Sequence, residues 1–256
     1  MTNPLISLII PVYNVNPKFL EECIESVNAQ TLQKSLFEVI VFDDGSAFYS
    51  DETRKFAGSV GNSRYFRREQ NKGPALTRNQ AINESRGRLI VLLDADDILS
   101  GQSLEETLKF MEFNRKVKYS YSMHRVVDKE GKFIEDIPCK PYDSELLLHT
   151  NFVGHIKCFD REIHLRLGGY DSEMLFAEDW DHALKASELL KPEQFMQNPQ
   201  YLYLYRIHGT NMTLDRVDKL MAYRSKVITA ALKRRGFNAR AFFSHTTGDG
   251  YAYMDW

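Results

Sequence analysis

Two apolar stretches of this chain end in aspartates. VIVFDDGS sets Asp43 and Asp44 after one, and LIVLLDADD sets Asp94, Asp96 and Asp97 after the other. If both stretches are strands of one parallel sheet, the five carboxylates gather outside the carboxyl ends of the strands, where open parallel sheets bind ligands. Like charges held that close raise one another's pKa or recruit a cation. A divalent ion is the simpler outcome. On extended backbone residues 94 and 96 project to the same side, and their oxygens suit a hard ion such as Mg²⁺ or Mn²⁺. Alone, a D-x-D triplet marks a capped turn; beside a second aspartate-tipped strand it marks a metal site. Asp97 is expected to cap the turn toward Ser100.

Hard ions held by few carboxylates commonly complete their shell with phosphate oxygens. The chain has no P-loop, and its first apolar stretch runs into Pro11, Val12, Tyr13 and Asn14 rather than G-x-G-x-x-G. Kinase-like and dinucleotide-dependent dehydrogenase chemistry are therefore excluded. What fits is a nucleotide whose diphosphate is gripped by metal, with Asp44 free to accept from a base or ribose. No Cys or Ser sits in a recognisable elbow with a partnered histidine, which argues against nucleophilic catalysis.

These acids need strands to carry them. Residues 5–10, 37–42 and 88–93 are almost continuously apolar and β-branched, as strands buried on both faces are. Between the first two, FLEECIESVNAQ puts Phe19, Leu20, Cys23, Ile24 and Val27 on one helical face, giving a βαβ unit. The pattern further predicts a weaker strand at 63–67, a helix from about Gly73 with Pro74 early in it, and a helix at 103–114. A hairpin turning at 129–131, a helix from about Glu178, a strand at 201–206 and a helix at 216–235 follow. With no linker or repeat, this is one continuous α/β domain.

Composition agrees: 43% hydrophobic and 27% charged residues describe an ordinary globular protein. The longest apolar runs fall short of the roughly 18 to 20 residues that cross a bilayer. The start, MTNPLISLII, lacks secretory-signal features, so a cytoplasmic location is expected. Cys23, Cys139 and Cys158 are too few and too scattered for a disulfide framework or structural zinc. The net charge of −2 hides an asymmetry. Residues 215–240 hold eight basic and two acidic side chains, hence +6 there and −8 elsewhere. A nucleic-acid binder would be basic overall; this segment is either a solvated helix face or a contact for anionic lipid or an anionic acceptor.

SLIIPVYNV, VIVFDDGS, NKGPALTRNQAI, GRLIVLLDADD, GGYD, AEDWD and YRIHGTNMT occur in that order. Over residues 5–213 this set resembles the inverting family 2 glycosyltransferases of GT-A fold. The resemblance implies a Rossmann-like, mostly parallel central sheet flanked by helices. It implies a GT-A domain at 1–213, with a nucleotide-sugar half (1–97) and an acceptor half with the base (98–213), and a basic helix and tail at 214–256. Pro11, Tyr13 and Asp44 would line the nucleotide pocket, with Asp44 reading uracil, and Arg78 would face the nucleotide or diphosphate. Asp94 and Asp96 would be the D-x-D pair, Asp96 the more direct metal ligand, with His208 completing the shell or touching the diphosphate. Asp179, beside Glu178, would be the general base, and His155 would lie near the acceptor. Around Asp179 the neighbouring acids Glu178 and Asp181 raise its pKa while a helix N-terminus lowers it, and sequence leaves the winner open.

The implied activity is metal-dependent (Mn²⁺ or Mg²⁺) inverting hexosyl transfer from a UDP-sugar to a hydroxyl of a saccharide or lipid-linked acceptor. Bacterial surface polysaccharide synthesis is the implied setting, with peripheral membrane contact through 215–240. Two alternatives stand beside it. A sugar-nucleotide nucleotidyltransferase would carry a glycine-rich, Arg-containing loop after its first strand, which is missing here. A noncatalytic nucleotide-sugar-binding module would have no need of Asp94, Asp96 and Asp179.

Overall fold

The computed structural model describes residues 3–209, 211 and 217–238. The first half runs β1 (Ile6–Val12), α1 (Pro17–Asn28), β2 (Phe37–Asp43), α2 (Ser50–Gly58), β3 (Ser63–Arg67), α3 (Pro74–Glu84) and β4 (Leu89–Leu92). The second runs β5 (Ile98–Leu99), α4 (Ser103–Phe113), β6 (Tyr119–Val127), β7 (Phe133–Ile137), α5 (Leu146–His149), β8 (Lys157–Asp160), α6 (Arg161–Arg166), α7 (Glu178–Leu189), β9 (Phe195–Arg206) and α8 (Val217–Arg234). The tail at 244–256 lies outside the described residues.

One sheet, ordered β3-β2-β1-β4-β8-β6-β9-β5 with β7 paired to β6, organises the molecule. Its first four strands are parallel, as the apolar stretches predicted. Along β1, Ile6, Leu8, Ile10 and Val12 share a core layer with Leu20 and Ile24 of α1 and Leu104 of α4. Ile9 shares the opposite layer with Ala81 and Ile82 of α3 and Leu184 of α7. Burial on both faces is why these strands show no polar alternation.

From β1 the chain winds outward to β3, then returns to the other side of β1 as β4, so the winding reverses between β1 and β4. Their ladder ends at Ile9↔Leu92, while β1 stays paired with β2 through Val12↔Asp43. The two strands part, and a crevice opens at the switch point. Pro11, which has no N–H to give, lies beyond the β4 ladder, where none is demanded.

Past β4 the sheet becomes mixed: β8 runs antiparallel to β4 and β6, β9 parallel to β6, and β5 antiparallel to β9. Parallel character is thus concentrated in the first half. The strand expected at 201–206 is the end of the longer β9, whose pairing with β6 slips between Ser122 and His124. Four-residue β8 gave no pattern long enough to detect. Helix α8 seats Val227, Ile228, Ala231 and Leu232 in the same core layer as α7. Its Arg234 reaches Glu188 at 2.6 Å and Asp181 at 3.1 Å, and Arg235 also meets Glu188. That part of the basic face therefore ties the helix to α7. Among the described residues no helix is long and apolar enough to cross a membrane.

Candidate active site

At the end of β2 both aspartates serve the fold. Asp43, fully buried, accepts from Ser46 N at 2.8 Å, Tyr65 Oη at 2.9 Å and Arg67 Nε at 3.1 Å. Asp44 Oδ1 takes Lys72 N at 3.0 Å and Arg68 Nη1 at 3.1 Å, and Oδ2 takes Asn71 Nδ2 at 3.0 Å and Gly73 N at 2.9 Å. Three of these are hydrogen bonds, and Arg68 adds an ion pair. In this structure the charge of Asp44 holds the 71–73 loop that launches α3. Gly73 makes that launch at φ +90, a conformation costly for any residue with a Cβ. Tyr13, just past β1, is 49% exposed.

The turn after β4 is held from β9. Asp94 N donates to Tyr203 Oη at 3.1 Å, and Tyr203 Oη donates to Asp97 Oδ2 at 2.7 Å. Arg206 N donates to Asp97 Oδ1 at 2.7 Å, and its guanidinium reaches the carbonyls of Asp96 (2.9 Å) and Lys129 (3.1 Å) and the carboxylate of Glu22. That guanidinium also lies 4.7 Å from the Phe19 ring centroid. Asp97 therefore caps toward β9, not toward Ser100. Burial pushes its carboxyl well above the usual range, and Asp96 and Asp94 add repulsion.

Asp96 points away from this scaffold and meets His208: Oδ2 and Nε2 are 2.9 Å apart. Among the described residues no three metal-ligating side chains converge. One hard oxygen and one imidazole nitrogen nevertheless fit an open divalent site whose remaining positions fall to phosphate oxygens. Asp94, one-third exposed, has its Oδ1 held by Arg78 Nη2 at 2.9 Å.

Arg78 is the link between the two halves. Its Nη1 pairs with Glu178 Oε1, so one buried guanidinium on α3 joins the D-x-D turn to the start of α7. The GGYD motif braces the same helix: Asn79 Nδ2 donates to Tyr170 O and Tyr170 N donates to Asn79 Oδ1, both at 2.8 Å. A Cβ on Gly169 would stand 2.7 Å from Asn79 Oδ1, so only glycine lets the turn approach. Tyr170 then sits beneath the Arg78 guanidinium, 5.9 Å away.

Helix α7 begins from Ala177 in the left-handed region, φ 57, which turns Glu178 inward and leaves Asp179 at the cleft. Asp179 Oδ2 meets Lys157 Nζ at 3.2 Å and Asn151 Nδ2 at 3.4 Å, and Oδ1 accepts from Trp180 N at 2.8 Å. Burial alone would raise this carboxyl, but the Lys157 and Arg78 cations bring it down to about 2. For Glu178 burial prevails over Arg78 and raises the carboxyl, with Asp179 adding to the rise. The question left open by sequence is thus answered by a lysine from β8. His155 stacks on Tyr203 at 4.6 Å. Burial, with Lys157, lowers its imidazole to about 3, so it is neutral beside the two acids.

Arg78 therefore joins Asp94 to Glu178, next to Asp179, while Asp96 of the same turn pairs with His208. Lys157, Arg206 and Glu22 were not identified as site residues from sequence. The signals were present: a lysine inside the apolar run HIKCFD and an arginine ending LYLYR, each demanding a buried partner.

The half-parallel α/β sheet with acids at its switch point is of GT-A type. Residues 7–166 match the profile of glycosyl transferase family 2, and the chain belongs to that family. It is 26% identical over 227 residues to an uncharacterised glycosyltransferase of Methanocaldococcus jannaschii, covering 87% of this chain and 78% of that one. To Escherichia coli chondroitin synthase it is 29% identical over 236 residues, covering 91% of this chain. The chain spans only 33% of that synthase, and 18% of a Rickettsia bellii glycosyltransferase to which it is 42% identical over 132 residues. Among solved structures, Staphylococcus aureus TarS 1–349 in complex with UDP-GlcNAc matches at TM-score 0.72 and 18% identity, covering 89% of this chain and 66% of TarS 1–349. Pyrobaculum calidifontis mannosyltransferase PcManGT with GDP-Man and Mn²⁺ matches at 0.67 and 18%, covering 98% and 66%. At that identity the likeness speaks for the fold.

Proposed function

We propose that this glycosyltransferase moves a sugar with inversion from a UDP-sugar to a hydroxyl of a saccharide or lipid-linked acceptor. Asp179 is the base. The observation that carries the reading is the Arg78 bridge, which joins Asp94 of the D-x-D turn to Glu178 beside Asp179 across one crevice. In the reaction the acceptor oxygen attacks the anomeric carbon from the face opposite the nucleoside diphosphate. Its proton passes to Asp179, and the carbon–oxygen bond to the diphosphate breaks with the electron pair leaving on the diphosphate. Asp96 and His208 would hold the divalent ion, which when bound contributes several kcal/mol by neutralising the leaving charge. Pro11, Tyr13 and Asp44 would line the nucleotide pocket, with Tyr13 offering its exposed ring to the base.

In this reading residues 1–97 form the donor half and 98–213 the acceptor half. The neighbours solved with UDP-GlcNAc and with GDP-Man support a nucleoside-diphosphate sugar donor. Likeness to chondroitin synthase supports polysaccharide as the setting. Peripheral contact with anionic lipid would draw on Lys219 and Lys233, both exposed, since Arg234 and Arg235 are ion-paired. Salt-insensitive vesicle binding would count against that contact.

The test supplies a panel of UDP-sugars and GDP-mannose with Mn²⁺ and measures free nucleoside diphosphate and the anomeric configuration of the product. Asp179→Asn should lose about 10²- to 10⁴-fold in rate while still being stabilised thermally by donor. Release of pyrophosphate would favour the nucleotidyltransferase, and a retained anomer would overturn inversion.

A further inference from the structure

Lys157 occupies an unusual place for a lysine. It opens β8, a strand buried along its whole length between β4 and β6, and is 5% exposed. A lysine taken out of water needs a counter-charge, or its own charge is lost. Its neighbours Ile156 and Cys158 belong to the hydrophobic core, so the backbone there is fixed by packing. The ammonium is thus delivered from the rigid floor of the sheet to Asp179 Oδ2 at 3.2 Å. Asn151 meets the same oxygen at 3.4 Å, while Trp180 N holds the other at 2.8 Å. Three donors from three segments leave the carboxylate no other rotamer that keeps them all.

Taking Asp179 as the base, we propose that Lys157 is a positioning residue for the transfer, holding that carboxylate ionised and in one orientation toward the acceptor hydroxyl. Lys157 itself need not touch either substrate. Charged and titratable groups face Asp179 from every side: Lys157 from β8, Arg78 from α3, His155 from the loop before β8 and Glu178 from its own helix. Tyr119 of β6, Tyr170 and His182 lie behind it. Of these Lys157 makes the direct contact, and with Arg78 it reverses the rise that burial alone would cause. A base held at about 2 is weak by the usual matching of pKa to working pH. It suits an acceptor whose hydroxyl becomes acidic only as its bond to the sugar forms, so that the proton moves late. What the cation secures is constant availability, since the carboxylate stays ionised throughout mildly acidic and neutral conditions.

The experiment follows Asp179 directly. In the full-length protein labelled with [¹³C]aspartate, the carboxyl resonance absent from Asp179→Asn is titrated from pH 7 downward. Wild type is expected to show no inflection above about pH 3, below the ordinary value of about 3.9. Lys157→Met should move the inflection above 4, about a hundredfold gain in proton affinity, and Lys157→Arg should return it below 3. In transfer assays the methionine variant should show the matching acid limb in kcat/KM. A wild-type inflection at or above 3.9 overturns the proposal, and it does so even if Lys157→Met fails to fold. A folded Lys157→Met protein that titrates like wild type overturns it as well. Full transfer activity in Asp179→Asn instead overturns the assignment of the base, and leaves the Lys157–Asp179 titration standing as measured.

Discussion

Replacing Arg78 with methionine keeps the length of the stem and removes the guanidinium that joins Asp94 to Glu178. Its side chain is 11% exposed, and so is that of Glu178, so water cannot take over the interaction. Breaking a buried pair from one side costs about 3–5 kcal/mol, because the partner charge is left uncompensated. At roughly 2–4 °C per kcal/mol for a chain of this size, the melting temperature should fall by about 6–20 °C at pH 8. The deficit should depend on pH with a definite sign. Burial already raises the Glu178 carboxyl, and Arg78 opposes that rise. Without Arg78, Glu178 takes up a proton at higher pH, so the variant's deficit is largest in alkaline buffer and shrinks as pH falls toward 5. Adding Glu178→Gln should recover a large part of the loss, with a coupling of at least about 1.5 kcal/mol in the double-mutant cycle. Urea unfolding of the four proteins at pH 8 and pH 5 measures both quantities. A loss under about 1 kcal/mol at pH 8, or one indifferent to pH and to Glu178→Gln, would refute the bridge as the element joining the two halves.

Ala177→Gly should relieve the left-handed backbone at the start of α7, stabilising the protein by up to about 1 kcal/mol after the added chain entropy; no change or a loss in melting temperature would contradict this. His164 Nδ1 and His182 Nε2 lie 3.1 Å apart in the core, and burial lowers His164 to about 4 and His182 well below its usual value. The unfolded chain therefore binds more protons below about pH 6.5, so stability is full above that pH and is lost as pH falls toward 4. For His164 this amounts to roughly 2 kcal/mol by pH 5, and His164→Gln should flatten the dependence in urea titrations. Arg206→Lys leaves acceptors that one ammonium cannot all serve and should cost roughly 1–3 kcal/mol in all, read as a fall in melting temperature. Asp96→Ala should abolish any Mn²⁺-dependent rise in melting temperature seen with a UDP-sugar; an unchanged rise would remove Asp96 from the metal site.

The first half of the fold was legible in the chain because its signals are local. Unbroken runs such as LIIPV and VIVFD mark strands covered on both faces, and the helical spacing of Leu20, Cys23, Ile24 and Val27 marks the helix between them. The second half was legible only in pieces. Asn198 and Pro199 interrupt β9, and β8 is four residues long, so pairing rather than pattern makes them strands.

For the site, sequence by itself determined which acids stand at strand ends and helix starts, since Asp94, Asp96 and Asp179 occupy positions set by local structure. Partners it did not determine. Asp44 and Asp96 look alike in the chain, yet one accepts three hydrogen bonds from a loop 27 to 29 residues away and the other faces His208, 112 residues distant. Whether a carboxylate braces the fold or faces the cleft depends on which donors arrive beside it. Tertiary structure alone decided that Lys157 and Arg78 would reach Asp179 and Glu178, because charges separated by that much chain meet only when the sheet and its helices have closed around them.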